Sequence, residues 1–262
     1  MIGRVLIIAG SDSGGGAGVQ ADIKTVTTLG AYAATAITAI TVQNTLGVTG
    51  VFPVPTGVIA AQARAVLSDI GADVIKTGML GSTEIVELVA QLIDEANIPA
   101  VIDPVMVAKG GSALLTEDAI GAVRTLLVPR AGLLTPNAPE AEALTGISVA
   151  STDDLRRAGA ALLEAGAGAV LMKGGHVPGP RVVDLLITPY GETLLEGPRI
   201  ETRHTHGTGC TLASACAAGL ADGLGLEASV ARAWGYVAEA IRRAPGLGAG
   251  HGPLDHGWPL RP

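Results

Sequence analysis

Aromatic side chains are scarce in this sequence: two tryptophans, three tyrosines and one phenylalanine make up 2% of 262 residues. A core must then be built from Ala, Val, Leu and Ile, the material of buried parallel strands and the helices that cover them. That favours an α/β fold over an all-β one. Cysteine is almost absent too. Cys210 and Cys216 lie six positions apart, with neither zinc-ligand spacing nor a CxxC pair, and a reduced compartment is expected. No Lys/Arg-rich block interrupts the chain and the formal net charge is −7, so the attraction that dominates nucleic-acid binding is missing. Charge of either sign is lacking from Thr25 to Ala63, but Gly30, Gln43, Asn44, Gly47, Gly50, Pro53 and Pro55 break this stretch below membrane-spanning length. It reads as buried core, with no membrane partner. The apolar run Val5 to Ala9 ends too soon for a signal peptide, and a cytoplasmic location is expected.

What is present alternates strands with helices. RVLIIAG leads through a Gly-rich loop to a helix from about Ala17 to Leu29, then a Thr/Ile/Val strand from Thr35 to Val42 and another near Val48 to Val54. Helices near Val58 to Ser68 and Thr83 to Ala96 flank the strand ADVIKTG, and AVIDPV follows. A helix near Glu117 to Leu127 precedes GLLTPN. A short helix opened by Pro139 and Glu140, a longer one near Asp153 to Ala165 and the strand AVLMKGG complete the series. VDLLIT and ETLLEGP read as an antiparallel edge around a turn at Pro189 to Gly191, before two Ala-rich helices ending near Ala221 and Arg243. The expected architecture is one domain over residues 1–262, a mostly parallel sheet with helices on both faces.

Ligands in such sheets sit beyond the carboxyl ends of the strands, which directs attention to four loops. In GSDSGGGAGVQAD, Gly10 to Asp22, glycines permit close backbone approach while Ser11, Asp12, Gln20 and Asp22 crowd polar groups around the turn. A tight β-to-α turn would account for the glycines alone. The tripeptide GK[ST] of a Walker A loop occurs nowhere. Gly16, Gly18 and Ala21 fit a loose dinucleotide fingerprint, yet after Asp22 the next acid is Asp69, so no ribose-binding carboxylate follows at the required distance.

The second loop, THGTGC from Thr205 to Cys210, opens a helix. Successive amides there can cradle charge on a transferred phosphoryl group, and the same field would lower the Cys210 thiol pKa. A small buried thiol packing a helix start is the alternative. DPVM and NAPE bring Asp103 and Glu140 to adjacent strand ends, as a magnesium-phosphate site requires, although a glutamate in a first helical turn also stabilises the dipole unaided. Lys173 ends its strand, where it either lies over phosphate or is solvated. The five histidines show no metal spacing, and none is assigned a catalytic role.

AGSDSGGGAGVQAD, VQNT, KTGML, DPVM, TPNAPEA, LMKGGH and THGTGCTL stand together in an order that resembles the hydroxymethylpyrimidine kinases of the ribokinase-like superfamily over essentially the whole chain. The resemblance implies a three-layer α/β/α sandwich, ATP and Mg2+ as cofactors, a pyrimidine substrate and a homodimer. It implies two phosphorylations, of the hydroxymethylpyrimidine and then of its monophosphate, for thiamine. Gln43 would hydrogen-bond the aminopyrimidine, Met79 would cover its ring, and Gly10, Ala17 and Asp22 would hold the rest. Cys210 would be the base, Gly207, Thr208 and Gly209 the anion hole with it, Lys173 an aid to the nucleotide phosphates, and Asp103 with Glu140 the magnesium-associated acids. The sequence departs from the family in Ser13 to Gly16, where Pro-Ser-Gly-Gly is common. A Gly pair in Ala108 to Ser112 suggests a closing loop. Pyridoxal kinase of the same subgroup is the alternative within the fold, and a metabolite-binding protein without turnover is the alternative outside catalysis.

Overall fold

The structure is a computed structural model that describes residues 1–106 and 115–261, so the loop expected to close at Ala108 to Ser112 lies outside the described residues. Strands β1 (Arg4–Ala9), β2 (Tyr32–Ile37), β5 (Val74–Thr77), β6 (Ala100–Ile102), β7 (Leu133–Leu134), β8 (Val170–Met172), β9 (Arg181–Thr188) and β10 (Gly191–Pro198) form one sheet in the order β10-β9-β8-β7-β6-β5-β1-β2. From β2 to β8 every pairing is parallel; β8–β9 and β9–β10 are antiparallel. The expected antiparallel edge is present.

Period-two alternation divides the strands between two cores. On β1, Leu6 and Ile8 face one side and Val5, Ile7 and Ala9 the other; on β8, Val170 and Met172 oppose Leu171. One face is covered by α2 (Thr56–Asp69), α3 (Thr83–Ala96), α4 (Glu117–Ala122), α5 (Ala138–Thr145) and α6 (Thr152–Glu164), the other by α1 (Gly18–Thr28), α7 (Thr208–Ala221) and α8 (Leu226–Arg242). Ser82 and Ser151 start α3 and α6 by accepting the Ile85 and Asp154 amides. Helix α7 is buried along Thr211 to Gly219, and its alanines leave room for α8: a Cβ at Gly219 would lie 2.6 Å from Ser229 Oγ.

Two expectations need correction. The strand read from Thr35 to Val42 breaks at Thr38, which donates its amide to Ala9 O and its hydroxyl to Met79 O. Beyond it, β3 (Ala39–Asn44) pairs with β4 (Gly47–Pro53) as a separate antiparallel ribbon. The uncharged stretch is therefore not all core. A two-stranded ribbon covers only one of its faces, and Ile40, Val42, Leu46, Val51 and Phe52 remain exposed. The helix expected to reach Leu127 does so, but widens to a π-helix over Val123–Leu127.

Candidate active site

The strand order reverses at β1, with β2 on one side and β5 on the other, and the parallel strands all point their carboxyl ends at the same crevice. The loop after β1 is organised by a single carboxylate. Asp12 is 2% exposed and accepts the amides of Gly14 at 2.8 Å, Gly16 at 3.1 Å and Ala17 at 2.8 Å. His206 Nε2 lies 2.8 Å from the same carboxylate. Burial pushes the Asp12 carboxyl up, but the bond from His206 and those from the amides outweigh it and hold it below its ordinary range.

Gly10 and Met79 meet closely: the Gly10 amide donates to Met79 O, and a Cβ on Gly10 would sit 2.6 Å from Met79 Cε. Gln43, on β3, is clamped by Ser13, whose hydroxyl accepts the Gln43 amide at 2.8 Å and donates to its carbonyl at 2.7 Å. The Gln43 side chain reaches His206 at 3.2 Å. Gln43, Met79, Gly10 and Ala17 thus gather around the β1 loop.

The other half of the crevice is ionic. Lys173, at the end of β8, places Nζ 2.9 Å from Asp103 Oδ1 and 3.6 Å from Glu140 Oε2. Asp103 follows β6 and donates its amide to Thr77 O, while Glu140 completes a capping box with Asn137 at the start of α5. The capping alternative for Glu140 is therefore realised together with its place beside Lys173. Burial raises the Glu140 carboxyl to about 7, with Asp103 adding to the effect and Lys173 opposing it. Burial pulls the Lys173 ammonium down, yet Asp103 and Glu140 outweigh it and raise it above its ordinary value.

Helix α7 begins against this cluster. Gly207 has φ 82°, and a Cβ there would lie 1.8 Å from Gly16 O, so only glycine allows the two loops to touch. A Cβ on Gly209 would stand 3.1 Å from Lys173 Nζ and 3.6 Å from Asp103 Oδ2. Thr208 donates its hydroxyl to Thr205 O, bracing the turn.

Asp22, expected to help hold the substrate, is fully buried, salt-bridged to Lys76 and hydrogen-bonded by Ser214. One expectation is corrected here. The half-buried Cys210 thiol is not lowered: burial pushes it up to about 12, and the Lys76 charge, offset by Asp22 and Asp103, does not reverse this. Asp12 was named from sequence only among the polar groups of the first loop, and Lys76 and His206 were given no site role, although KTGML and THG contain them. Charge balance around a buried residue has no local sequence signature.

Ammonium, paired carboxylates and helix amides in one crevice suit a phosphoryl-transfer enzyme, and the solved structures agree on the class: the fold is ribokinase-like. An ADP complex of Bacillus subtilis pyridoxal kinase is similar with TM-score 0.91 and 37% identity, covering 98% of both chains. A phosphomethylpyrimidine kinase from Clostridium difficile 630 is similar with TM-score 0.82 and 40% identity, covering 92% of this chain and 100% of that one. In sequence, the hydroxymethylpyrimidine/phosphomethylpyrimidine kinase of Streptomyces coelicolor is 51% identical over 98% of this chain and 95% of its own. The chain belongs to the phosphomethylpyrimidine kinase family, whose match spans residues 12–255.

Proposed function

We propose that the chain transfers the γ-phosphoryl group of ATP to the hydroxymethyl group of 4-amino-5-hydroxymethyl-2-methylpyrimidine, and then phosphorylates the monophosphate to the diphosphate used for thiamine. The observation that carries this is the pairing of Lys173 with Asp103 and Glu140 beside Gly209, one residue before Cys210.

In this reading Gln43 and Met79 hold the aminopyrimidine, with Gly10 and Ala17 completing the wall through backbone. The α7 amides from Gly207 to Cys210 face charge developing on the transferred group, and Gly209 permits its approach because it has no side chain. Lys173 neutralises phosphate oxygens, held in place by its two carboxylates. Cys210 takes the hydroxyl proton in the first step. Its elevated pKa in the unliganded chain makes it a strong base only after the bound state favours the thiolate.

Magnesium is compatible with the donors present. The described residues contain no cluster of three or more His, Cys, Asp or Glu groups, and Mg2+ characteristically takes one or two carboxylates beside water and substrate phosphates. Asp103 and Glu140 would hold it, and it would supply charge neutralisation on the nucleotide. No helix among the described residues is long and apolar enough to cross a membrane. A single domain, supported by the continuous eight-stranded sheet, a homodimer, supported by the exposed apolar ribbon β3–β4, and a cytoplasmic location belong to the same proposal.

Pyridoxal kinase is the second reading, favoured by the similarity to the B. subtilis pyridoxal kinase structure. A coupled ADP-release assay with magnesium-ATP separates the two. Turnover of hydroxymethylpyrimidine and its monophosphate with little on pyridoxal supports the proposal; preference for pyridoxal replaces it.

A further inference from the structure

One imidazole nitrogen joins three parts of the crevice. His206 Nε2 lies 2.8 Å from Asp12 Oδ2 and 3.2 Å from one end of the Gln43 amide. The other end of that amide lies 3.3 Å from Thr41 Oγ1, whose hydroxyl is 2.7 Å from Ser11 O. Asp12 is ionised and accepts only, so Nε2 must carry a proton and donate to it. An Nε2–H cannot also accept from the Gln43 NH2. A carbonyl at that end would instead share the proton. The opposite end gives the same answer independently. The single Thr41 proton is committed to the Ser11 carbonyl, which leaves Thr41 Oγ1 as an acceptor, and an acceptor there requires the Gln43 NH2.

We infer that His206 is a positioning residue for substrate specificity: its one N–H, shared between Asp12 and Gln43, turns the Gln43 carbonyl toward the imidazole and its NH2 toward Thr41. The inference rests on the pyrimidine-kinase reading for its kinetic consequence, but the amide orientation stands on the hydrogen bonds alone. With one NH2 proton on Thr41, the other is left to donate to a ring nitrogen of the ligand, and the remaining carbonyl lone pair to accept from an adjacent exocyclic amine. An inverted amide would present the opposite pattern. The surrounding packing enforces the arrangement. A Cβ on Gly16 would come within 2.5 Å of His206 Cδ2, and the His206 amide is tied to Gly252 O, so the ring has little freedom to swing away.

Two measurements test this. In 15N-labelled wild-type protein, nuclear Overhauser contacts from the Gln43 NH2 should run to the Thr41 side chain; contacts to the His206 ring in their place overturn the inference without any variant. In steady state, His206→Phe should raise the KM for hydroxymethylpyrimidine about tenfold, with kcat and the KM for ATP within about threefold of wild type, and His206→Gln should restore most of the loss. An unchanged pyrimidine KM, or a fall in kcat alone, overturns the positioning role. If wild type turns over pyridoxal and not hydroxymethylpyrimidine, the functional proposal fails while the amide contacts still decide the orientation.

Discussion

Lys76 Nζ stands 2.8 and 2.9 Å from the two carboxylate oxygens of Asp22, and neither side chain has any solvent exposure. The pair ties β5 to α1, and Ser214 of α7 donates to Asp22 at 2.7 Å, joining a third element. Burial pulls the Lys76 ammonium down, but Asp22, Cys210 and Asp103 reverse this and raise it. Burial also raises the Asp22 carboxyl, against the pull of Lys76 and Ser214, so the two groups are held by each other inside the fold.

Lys76→Met would leave the Asp22 carboxylate buried with only a hydroxyl donor. The expected cost is about 3–5 kcal/mol of folding stability, while Lys76→Met combined with Asp22→Leu should cost less than the single change. Urea denaturation of wild type and these two variants measures this, and a double variant less stable than Lys76→Met would show that the pair is not a closed unit.

Cys210→Ser should slow phosphorylation of the hydroxymethylpyrimidine about 10²–10⁴-fold, the range of a lost general base, and slow phosphorylation of the monophosphate far less. Only the alcohol has a proton to remove; the monoester already carries negative charge. Single-turnover rates with each acceptor supply the comparison, and equal losses would assign Cys210 to positioning.

Gly209→Ala introduces a methyl 3.1 Å from Lys173 Nζ, a contact tight enough to displace the ammonium. Because Ala is the better helix former, the melting temperature should hold or rise while kcat falls about 10-fold or more. Unchanged kcat would mean that Lys173 adjusts freely and its placement between Asp103 and Glu140 is not required.

Two buried groups give opposite pH slopes. Burial, assisted by the Lys24 charge, pushes His256 down from 6.5 to about 4. The unfolded chain then binds the proton more readily, so this contribution is fully present above pH 6.5 and is lost as pH falls toward 4, by about 3 kcal/mol in all. Asp184, raised by burial from 3.8 to about 6, keeps its proton in the folded chain, and stability declines as pH rises through that window. Relative to wild type, the slope of the urea midpoint against pH between about pH 4.5 and 7 should become more positive in Asp184→Asn and more negative in His256→Gln, the Glu140 contribution being common to all three proteins. Identical profiles in both variants would contradict the assignment.

The order of strands and helices was legible because apolar periodicity and breakers are local. AVLMKGG and VDLLIT read as strands, and β8 and β9 lie within a few residues of them. The break at Thr38 was not legible: Thr35 to Val42 has uniform β character, and only the partners of Thr38 on β1 and beyond β5 divide it. Lys173, Asp103 and Glu140 were found by their position at strand ends, since a parallel sheet brings such ends to one side.

The sequence by itself determined the α/β architecture, the family and the loops that line the crevice, since each depends on residue type and spacing along the chain. Tertiary structure alone decided how charge is distributed there. It paired Asp22 with Lys76, set the Cys210 thiol high, and made His206 the link between Asp12 and Gln43. Those outcomes depend on burial and on partners as far as 194 positions apart, where the cost of desolvating a charge is met by whichever opposite charge the fold brings within reach.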